Sequence, residues 1–185
     1  MEKVDPSRII LLSGGIDSAA ALHFYKKVSN DLVCLHFSYG QKSEKSELNS
    51  AKKISEYYDS SFENIRLKFP LTYNKEEILC RNILFIMSAA AIQLDPCEII
   101  LGIHSGTGFY DCSKDFLDHT QKILDGYFYG VKRVVTPFGS STKESIIEYC
   151  IKESVPLHLT HSCIEANIPC GKCMSCRQRS VLDEN

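Results

Sequence analysis

Short runs of aliphatic and β-branched residues alternate along the chain with longer segments in which apolar residues recur every three or four positions. The short runs predict five strands, at 8–12, 31–37, 62–69, 98–103 and 133–138. The longer segments predict five helices, at 18–27, 43–58, 81–94, 112–124 and 142–154. Strands and helices therefore follow one another in strict alternation.

Such alternation is typical of the α/β class, because each helix carries the chain back across a sheet to begin the next parallel strand. We expect a mostly parallel five-stranded sheet with helices on both faces, spanning residues 1–156. The pattern changes after Pro156, where cysteines replace the apolar periodicity. Residues 157–185 are predicted to form a small appended module, too short to be held together by apolar burial alone.

The bulk composition excludes several classes of function. The 185 residues are 44% hydrophobic, which is enough for one compact domain. Lys and Arg total 21 against 23 Asp and Glu, so the net charge of −2 gives no general attraction for nucleic acid. No apolar run approaches the roughly 18 residues of a spanning helix, and none opens the sequence. We expect a cytoplasmic protein that binds neither membranes nor nucleic acid strongly and keeps its cysteines reduced.

The segment SGGIDS at 13–18 lies between the end of the first predicted strand and the first predicted helix. Its two glycines let a ligand approach the backbone, while the helix N-terminus and two hydroxyls favour an anion such as phosphate. The lysine of a Walker P-loop is missing, and Asp17 would repel phosphate unless a cation such as Mg²⁺ stood between them. The alternative is an ordinary strand-to-helix turn in which Asp17 caps the helix.

Four C-terminal cysteines have the spacing of a metal site; they are Cys163, Cys170, Cys173 and Cys176. Two-residue gaps bring thiolates onto one cation, and four thiolates form the closed tetrahedral sphere of a structural zinc ion. An iron–sulfur cluster and a redox dithiol are the alternatives, although the Cys-Pro that ends the bacterial cluster motif is missing. Two further cysteines, Cys80 and Cys112, fall near strand ends, and the sequence leaves their reactivity open.

The SGGIDS segment resembles the signature of the PP-loop ATP pyrophosphatases, whose fold is of the adenine nucleotide alpha hydrolase-like type. Members of this group split ATP into AMP and pyrophosphate while adenylylating an oxygen of a second substrate. The resemblance implies ATP and Mg²⁺ as cofactors. It places the pyrophosphate end at Ser13, Gly14, Gly15, Asp17 and Ser18.

Further segments narrow the resemblance to the 7-cyano-7-deazaguanine synthases. The chain has SYGQK after the second strand, RN at the start of the central helix, FYDC after the fourth strand and CGKCMSC near its end. This family makes a nitrile, through an amide, from 7-carboxy-7-deazaguanine, ammonia and ATP, and it pairs as a homodimer. The resemblance implies nucleotide-binding roles for Tyr39, Gln41 and Asn82, and zinc ligation by the four clustered cysteines.

Three charged residues are expected to serve the chemistry together with Asp17. By resemblance, Arg81 and Lys143 neutralise charge on the α-phosphate and the substrate carboxylate as the transition state forms. Without the resemblance, both would be interpreted as surface cations. Asp111 is expected to coordinate Mg²⁺, to pair with the N–H edge of the purine, or merely to cap the helix at 112–124.

Aromatic and histidine side chains also gather near the predicted strand ends. Aromatic residues there, such as Phe37 and Tyr39, have the flat faces needed to stack on a deazapurine, or they close the core. Histidines near the loops are expected to be structural, because a closed thiolate site needs no imidazole ligand. They are His36, His104 and His161.

Several positions depart from the family pattern. Leu79 and Cys80 stand where Pro and Gly are expected, Ser113 replaces an arginine, and an acidic residue is missing near His104. These departures motivate the alternative that the chain activates the deazaguanine carboxylate and joins it to a macromolecular amine, in an antiphage or nucleic-acid-modification system. A tRNA-modifying PP-loop enzyme and a non-catalytic nucleotide-binding protein are the remaining alternatives.

Overall fold

The structure is a computed structural model that describes residues 7–68, 71, 73–74, 77–93, 95 and 97–183. Within these ranges the strands are β1 (Ser7–Leu11), β2 (Leu32–Ser38), β3 (Ser61–Arg66), β4 (Tyr73–Asn74), β5 (Glu77–Ile78), β6 (Cys97–Leu101) and β7 (Lys132–Val135). The helices are α1 (Ile16–Lys26), α2 (Glu44–Tyr57), α3 (Arg81–Ile92), α4 (Lys114–Phe128), α5 (Lys143–Lys152) and α6 (Met174–Asp183). No helix in the described part of the chain has the length and apolar composition that crossing a membrane requires.

Among the described residues, five strands form one parallel sheet in the order β3-β2-β1-β6-β7. The predicted five-stranded parallel sheet is therefore confirmed. At its centre, Ile9 of β1 lies opposite Val33 of β2 and Ile99 of β6. β4 and β5 form a separate antiparallel pair, which the sequence did not predict because strands of two residues carry no recognisable alternation.

Helices cover both faces of the sheet, as the alternation of elements predicts. Neighbouring residues on a strand point to opposite faces, and the two hydrophobic clusters of the core follow that rule. Ile10 packs with side chains of α1, α2 and α5, whereas Ile9 packs on the other face with side chains of α3 and α4. The central strands are buried on both sides, which explains why they are continuous apolar runs in the sequence.

Some element boundaries differ from the predictions for local reasons. The last strand ends at Val135 rather than at 138, because Thr136 begins a turn that the Gly139 N–H closes. The helix predicted at 112–124 begins at Lys114, with Ser113 as its N-cap: the Ser113 Oγ accepts the Phe116 N–H at 3.1 Å. Helix α6 was not predicted, because the cysteine-rich segment that contains it carries too few apolar residues to show a helical period.

The order of the strands determines where a ligand can bind. From β1 the chain moves to β2 and β3 on one side, and it returns to β6 and β7 on the other. The loops after β1 and β6 therefore diverge and open a crevice at the carboxyl end of the sheet, where α/β proteins bind ligands. Gly102, directly after β6, lies against α1 so closely that a Cβ atom would be 2.5 Å from the Asp17 carbonyl carbon.

Replacing Gly102 with alanine is expected to destabilise the protein, because the added methyl group must push the β6 loop away from the α1 backbone. Urea denaturation should show a loss of about 1–3 kcal/mol in the free energy of unfolding. Gly126→Ala is the matched control, since Gly126 is exposed within α4 and a Cβ there meets nothing within 4 Å. That change should raise the free energy of unfolding by about 0.5–1 kcal/mol. Wild-type stability of Gly102→Ala would contradict the close approach.

Candidate active site

A cavity of about 300 Å³ opens at the carboxyl ends of β1, β2 and β6. The residues that the sequence assigned to a nucleotide or catalytic site come from five separate segments of the chain, and most of them meet here. Those that line the cavity are Ser13, Gly15, Asp17, Ser18, Tyr39, Arg81, Asn82 and Lys143. Three others, Gly14, Gln41 and Asp111, lie outside its lining.

The loop at 13–18 presents hydrogen-bond donors to this cavity. Helix α1 begins at Ile16, and its N-cap, Gly15, offers no side chain to the first N–H groups of the helix. Such N–H groups are available to an anion. The Ser13 and Ser18 hydroxyls lie 3.0 Å apart at the same edge. Asp17 lies in the first turn rather than at the N-cap, so the interpretation of this segment as a turn capped by Asp17 is wrong.

Gly14 supports the loop from behind, where α2 packs against it. Its φ of +89° is the left-handed conformation that favours glycine, and a Cβ atom would lie 2.5 Å from the Glu47 carbonyl oxygen. The Gly14 carbonyl accepts the His161 N–H at 2.9 Å. Gly14 therefore shapes the loop through its backbone, which is consistent with its position outside the cavity lining.

Asp17 and Lys143 form an ion pair inside the cavity. The Lys143 Nζ donates to the Asp17 Oδ1 at 2.5 Å, and the two side chains are only 12% and 24% exposed. Lys143 is the first residue of α5, where the Thr142 Oγ1 caps the helix by accepting the Ser145 N–H. The pair places a cation and an acid beside the free N–H groups of α1, which is an arrangement suited to a phosphate and its counter-cation.

Arg81 and Asn82 open helix α3 at the opposite wall. Burial alone would lower the pKa of the Arg81 guanidinium, but Tyr39 and Asp111 beside it outweigh burial and raise that pKa. The Asn82 Nδ2 donates to the Asp111 carbonyl at 3.1 Å, and its Oδ1 accepts the Arg81 Nε–H at 3.4 Å. The arginine is therefore a firmly held cation that lines the cavity.

Asp111 is buried next to Arg81, in the 3₁₀ helix Tyr110–Cys112, and does not line the cavity. Ser113 rather than Asp111 caps α4, so the helix-cap alternative for Asp111 is wrong. The neighbouring Cys112 does line the cavity, and its Sγ lies 3.7 Å from the Asp111 Oδ1. Burial raises the pKa of the Cys112 thiol, which keeps it protonated and a poor nucleophile.

Gln41 makes its hydrogen bonds to its own loop and to the two elements that the loop connects, β2 and α2. Its Nε2 donates to the Phe37 carbonyl and to the Glu47 carboxylate, at 3.2 and 2.9 Å, and its Oε1 accepts the Tyr39 N–H at 2.9 Å. These bonds fix the turn that carries Tyr39 and hold Glu47 at the cavity wall. The structure thus places Gln41 as a support for two lining residues, and Glu47 is a lining residue that the sequence did not single out.

Aromatic and aliphatic side chains form an apolar wall of the cavity. Phe37 and Phe85 stack with their ring centroids 4.2 Å apart and their planes 3° from parallel, and Tyr39 lies 5.5 Å from Phe85. Phe109 and Ile103 continue this wall. Flat apolar surfaces of this kind accommodate a planar heterocycle.

The C-terminal segment supplies the remaining wall. The sequence did not indicate this wall, because no pattern in it shows where the C-terminal segment packs. The lining residues from this segment are His161, Ser162, Ile164, Met174, Ser175 and Gln178. The same segment contacts the start of α2, where the Ser46 Oγ donates to the Asn167 carbonyl at 2.7 Å. The cysteine-rich module is therefore part of the cavity.

The four clustered cysteines lie next to this wall with their sulfur atoms within 4.8 Å of one another. A tetrahedral ion with metal–sulfur bonds of about 2.3 Å has sulfur–sulfur edges of about 3.8 Å, and the Cys170 and Cys176 sulfurs are 3.9 Å apart. Backbone N–H groups of Cys173 and Lys172 point at the Cys170 sulfur and lower its pKa to about 6. These residues fit one metal ion.

Arg179 of α6 fixes the cysteine-rich module to the segment that precedes it. Its Nη1 donates to the Thr160 Oγ1 at 2.7 Å, to the Thr160 carbonyl at 3.1 Å and to the Ser162 Oγ at 3.3 Å. Its Nη2 donates to the Leu157 carbonyl at 3.0 Å. Since Ser162 lines the cavity and Cys163 follows it, one guanidinium holds together the cysteine cluster and one wall of the cavity.

Comparison with known proteins gives a family match along the chain. The family model described as queuosine biosynthesis protein QueC matches residues 7–79 and 70–182. A 7-cyano-7-deazaguanine synthase of Prochlorococcus marinus strain MIT 9301 is 32% identical over 220 residues, which cover 100% of this chain and 96% of that protein. Another, from Nautilia profundicola, is 30% identical over 207 residues, which cover 92% of this chain and 90% of that protein.

Two solved structures share the fold at low identity. The U34-tRNA thiolase NcsA from Methanococcus maripaludis, solved with its 4Fe-4S cluster, gives a TM-score of 0.60 at 15% identity and covers 98% of this chain and 67% of its own. The NMN synthetase from Francisella tularensis gives a TM-score of 0.54 at 18% identity and covers 83% of this chain and 63% of its own. The predicted PP-loop type of fold is confirmed by these neighbours.

Removing the Arg179 guanidinium is expected to loosen the C-terminal module. Arg179→Ala removes four hydrogen bonds to buried or half-buried acceptors, of which the Leu157 carbonyl keeps its bonds from Thr160. The loss should cost about 2–3 kcal/mol and lower the melting temperature by about 5–10 °C. Arg177→Ala is the matched control, because the side chain of exposed Arg177 donates to the Lys172 carbonyl within the module itself. Equal melting temperatures for the two variants in calorimetry would contradict this role for Arg179.

Proposed function

The chain belongs to the QueC family of queuosine biosynthesis proteins, and we propose that it uses ATP to convert 7-carboxy-7-deazaguanine and ammonia into 7-cyano-7-deazaguanine. Its curated relatives are named 7-cyano-7-deazaguanine synthases, at 30–33% identity over most of the chain. One observation carries the ATP part of the proposal. The free N–H groups of α1, the Asp17–Lys143 pair and a stacked aromatic wall line a single cavity.

Two activations convert the carboxylate into the nitrile. A carboxylate oxygen attacks the α-phosphorus of ATP, which releases pyrophosphate and leaves an acyl adenylate with AMP as a good leaving group. Ammonia displaces AMP and loses a proton, which gives the amide. The amide oxygen then attacks a second ATP, releasing pyrophosphate, and departure of AMP with loss of the nitrogen-bound protons gives the nitrile.

The lining residues suit these steps. The free N–H groups of α1 and the hydroxyls of Ser13 and Ser18 suit the pyrophosphate end of ATP. Lys143 and Arg81 supply fixed positive charge beside the substrate carboxylate and beside the α-phosphate, whose oxygens gain negative charge in the transition state. Asp17 would hold Mg²⁺, which neutralises phosphate charge when bound. The aromatic wall at Phe37 and Phe85 suits the flat deazapurine.

We assign a structural zinc ion to the four clustered cysteines. Four thiolates leave no open coordination position, so the expected role of the ion is to hold the module together. The spacing of the sulfur atoms, all within 4.8 Å, supports a single ion, because an iron–sulfur cluster places its thiolates on different irons and spreads them farther apart.

The decisive experiment incubates the purified protein with ATP, Mg²⁺ and 7-carboxy-7-deazaguanine, with and without ammonia, and follows AMP and the deazaguanine products by mass spectrometry. We expect AMP in both cases and the nitrile only with ammonia. AMP or an adenylate without nitrile, even in excess ammonia, would contradict the synthase and indicate another amine as acceptor. No AMP would contradict ATP-dependent activation altogether.

In the same assay, Asp17→Asn is expected to lower kcat/KM for AMP formation by about 10²–10³-fold, because the cation and Lys143 lose their carboxylate partner. Asp118→Asn is the matched control, since Asp118 pairs with Lys114 on the exposed surface of α4. Thermal unfolding should show that both variants fold. AMP formation by Asp17→Asn at the wild-type rate would contradict the assignment of the 13–18 loop.

Metal analysis tests the cysteine cluster. We expect one zinc ion per chain, and Cys173→Ser should release it and lower the melting temperature, because three thiolates hold the ion more weakly than four. Cys80→Ser is the matched control, since Cys80 is exposed and lies outside the cluster. Iron in place of zinc would contradict the assignment of the ion, and full metal retention by Cys173→Ser would contradict the ligand set.

A further inference from the structure

His104 lies in the loop after β6, where it is only 7% exposed and lines the cavity. Its Nδ1 accepts the Gly106 N–H at 3.0 Å. A nitrogen that accepts a hydrogen bond carries no proton, so the neutral ring carries its proton on Nε2. The ring is thereby fixed as a hydrogen-bond donor through Nε2.

The surrounding backbone holds the His104 ring in place. A Cβ atom on Gly106 would lie 3.0 Å from the His104 Nδ1, so the ring and the turn are in close contact. The next residue, Ser105, donates both its N–H and its Oγ–H to the Ser141 carbonyl, at 3.1 and 2.9 Å. Ser141 precedes the helix that begins with Lys143. The loop that carries His104 is therefore joined to the segment that positions the active-site lysine.

The other nitrogen of the ring is available to a ligand. Among the described residues, the Nε2 of His104 has no hydrogen-bond partner, although the ring is buried at the cavity wall. The charged groups that face the ring are Asp17, Lys143 and Glu144. Burial and Lys143 lower the pKa of His104, and together they outweigh the opposite effects of Asp17 and Glu144. The ring is therefore neutral at pH 7.

We propose that His104 donates a neutral Nε2–H hydrogen bond to an anionic oxygen of the bound substrate, beside Lys143. The proposal rests on the proposed function, in which that oxygen belongs either to the α-phosphate of ATP or to the carboxylate of 7-carboxy-7-deazaguanine. Neutrality matters, because a protonated ring would compete with Lys143 for Asp17. Its Nδ1–H would also face the Gly106 N–H, so protonation would break the contact that orients the ring.

Substitution at 104 tests the donor. His104→Ala should lower kcat/KM for AMP formation by about 10–100-fold. His104→Gln places an amide N–H near the position of Nε2 and should stay within about fivefold of wild type. His158→Ala is the matched control, because His158 is exposed on the 3₁₀ helix Leu157–Leu159. Wild-type kcat/KM in His104→Ala, or equal losses in the Ala and Gln variants, would overturn the proposal.

Calorimetry identifies which oxygen accepts the hydrogen bond. Binding of a non-hydrolysable ATP analogue and of 7-carboxy-7-deazaguanine is measured separately for wild type and His104→Ala. Weaker binding of one of them in the variant supports the proposal and names the acceptor, whereas unchanged binding of both, together with unchanged kcat/KM, overturns it. If wild type binds the analogue but no deazaguanine, the proposed function fails, while the analogue still decides whether His104 is a donor.

The pH profile separates donation from a purely structural role. Because burial lowers the pKa of His104, the ring takes up a proton only as the pH falls through that lowered pKa. Wild-type kcat/KM should therefore fall on the acid side of pH 6.5. His104→Gln should lose this decline, because its amide does not titrate there. The same acid decline in His104→Gln would overturn the proposal.

Discussion

The close approach of the β6 loop to the first turn of α1 is the constraint on which the rest of the site depends. Gly102 has no side chain, so the loop can lie against the Asp17 backbone. This contact places Asp17 within reach of Lys143, and the hydrogen bonds from Ser105 to Ser141 fix the segment before that lysine. The loops after β1, β6 and β7 thus form one unit at neighbouring strand ends.

The cysteine-rich module is joined to this unit by the backbone as well. The His161 N–H donates to the Gly14 carbonyl, and Arg179 holds the residues on either side of His161. Cys163, the first residue of the thiolate cluster, follows directly. A cluster that merely stabilised a distant module would have no such connection. Here the order of the cysteine-rich segment and the shape of the loop at 13–18 depend on the same few hydrogen bonds.

Much of this arrangement could be predicted from the sequence, and the rest could not for physical reasons. The parallel sheet, the loop at 13–18 and the cysteine cluster follow from local patterns: alternation of elements, paired glycines and two-residue cysteine gaps. The functions of individual side chains depend on distant contacts. Gln41 matches the family motif, yet its hydrogen bonds join its loop to β2 and α2. The walls formed by Glu47 and by the C-terminal segment depend on how α2 and α6 pack. No local sequence pattern indicates that packing.

The departures from the family pattern fall into two physical kinds. Ser113 caps α4, and Cys80 takes a left-handed backbone conformation with φ of +60° at the exposed start of α3. Both act on local backbone geometry. His104 is different, because it stands on the cavity wall beside Lys143, in the segment where an acidic residue is expected. With the hydrogen bond that we propose for His104, the pocket would present a neutral donor at that point. A change in the chemistry of this chain relative to its family would therefore arise at His104 rather than at Cys80 or Ser113.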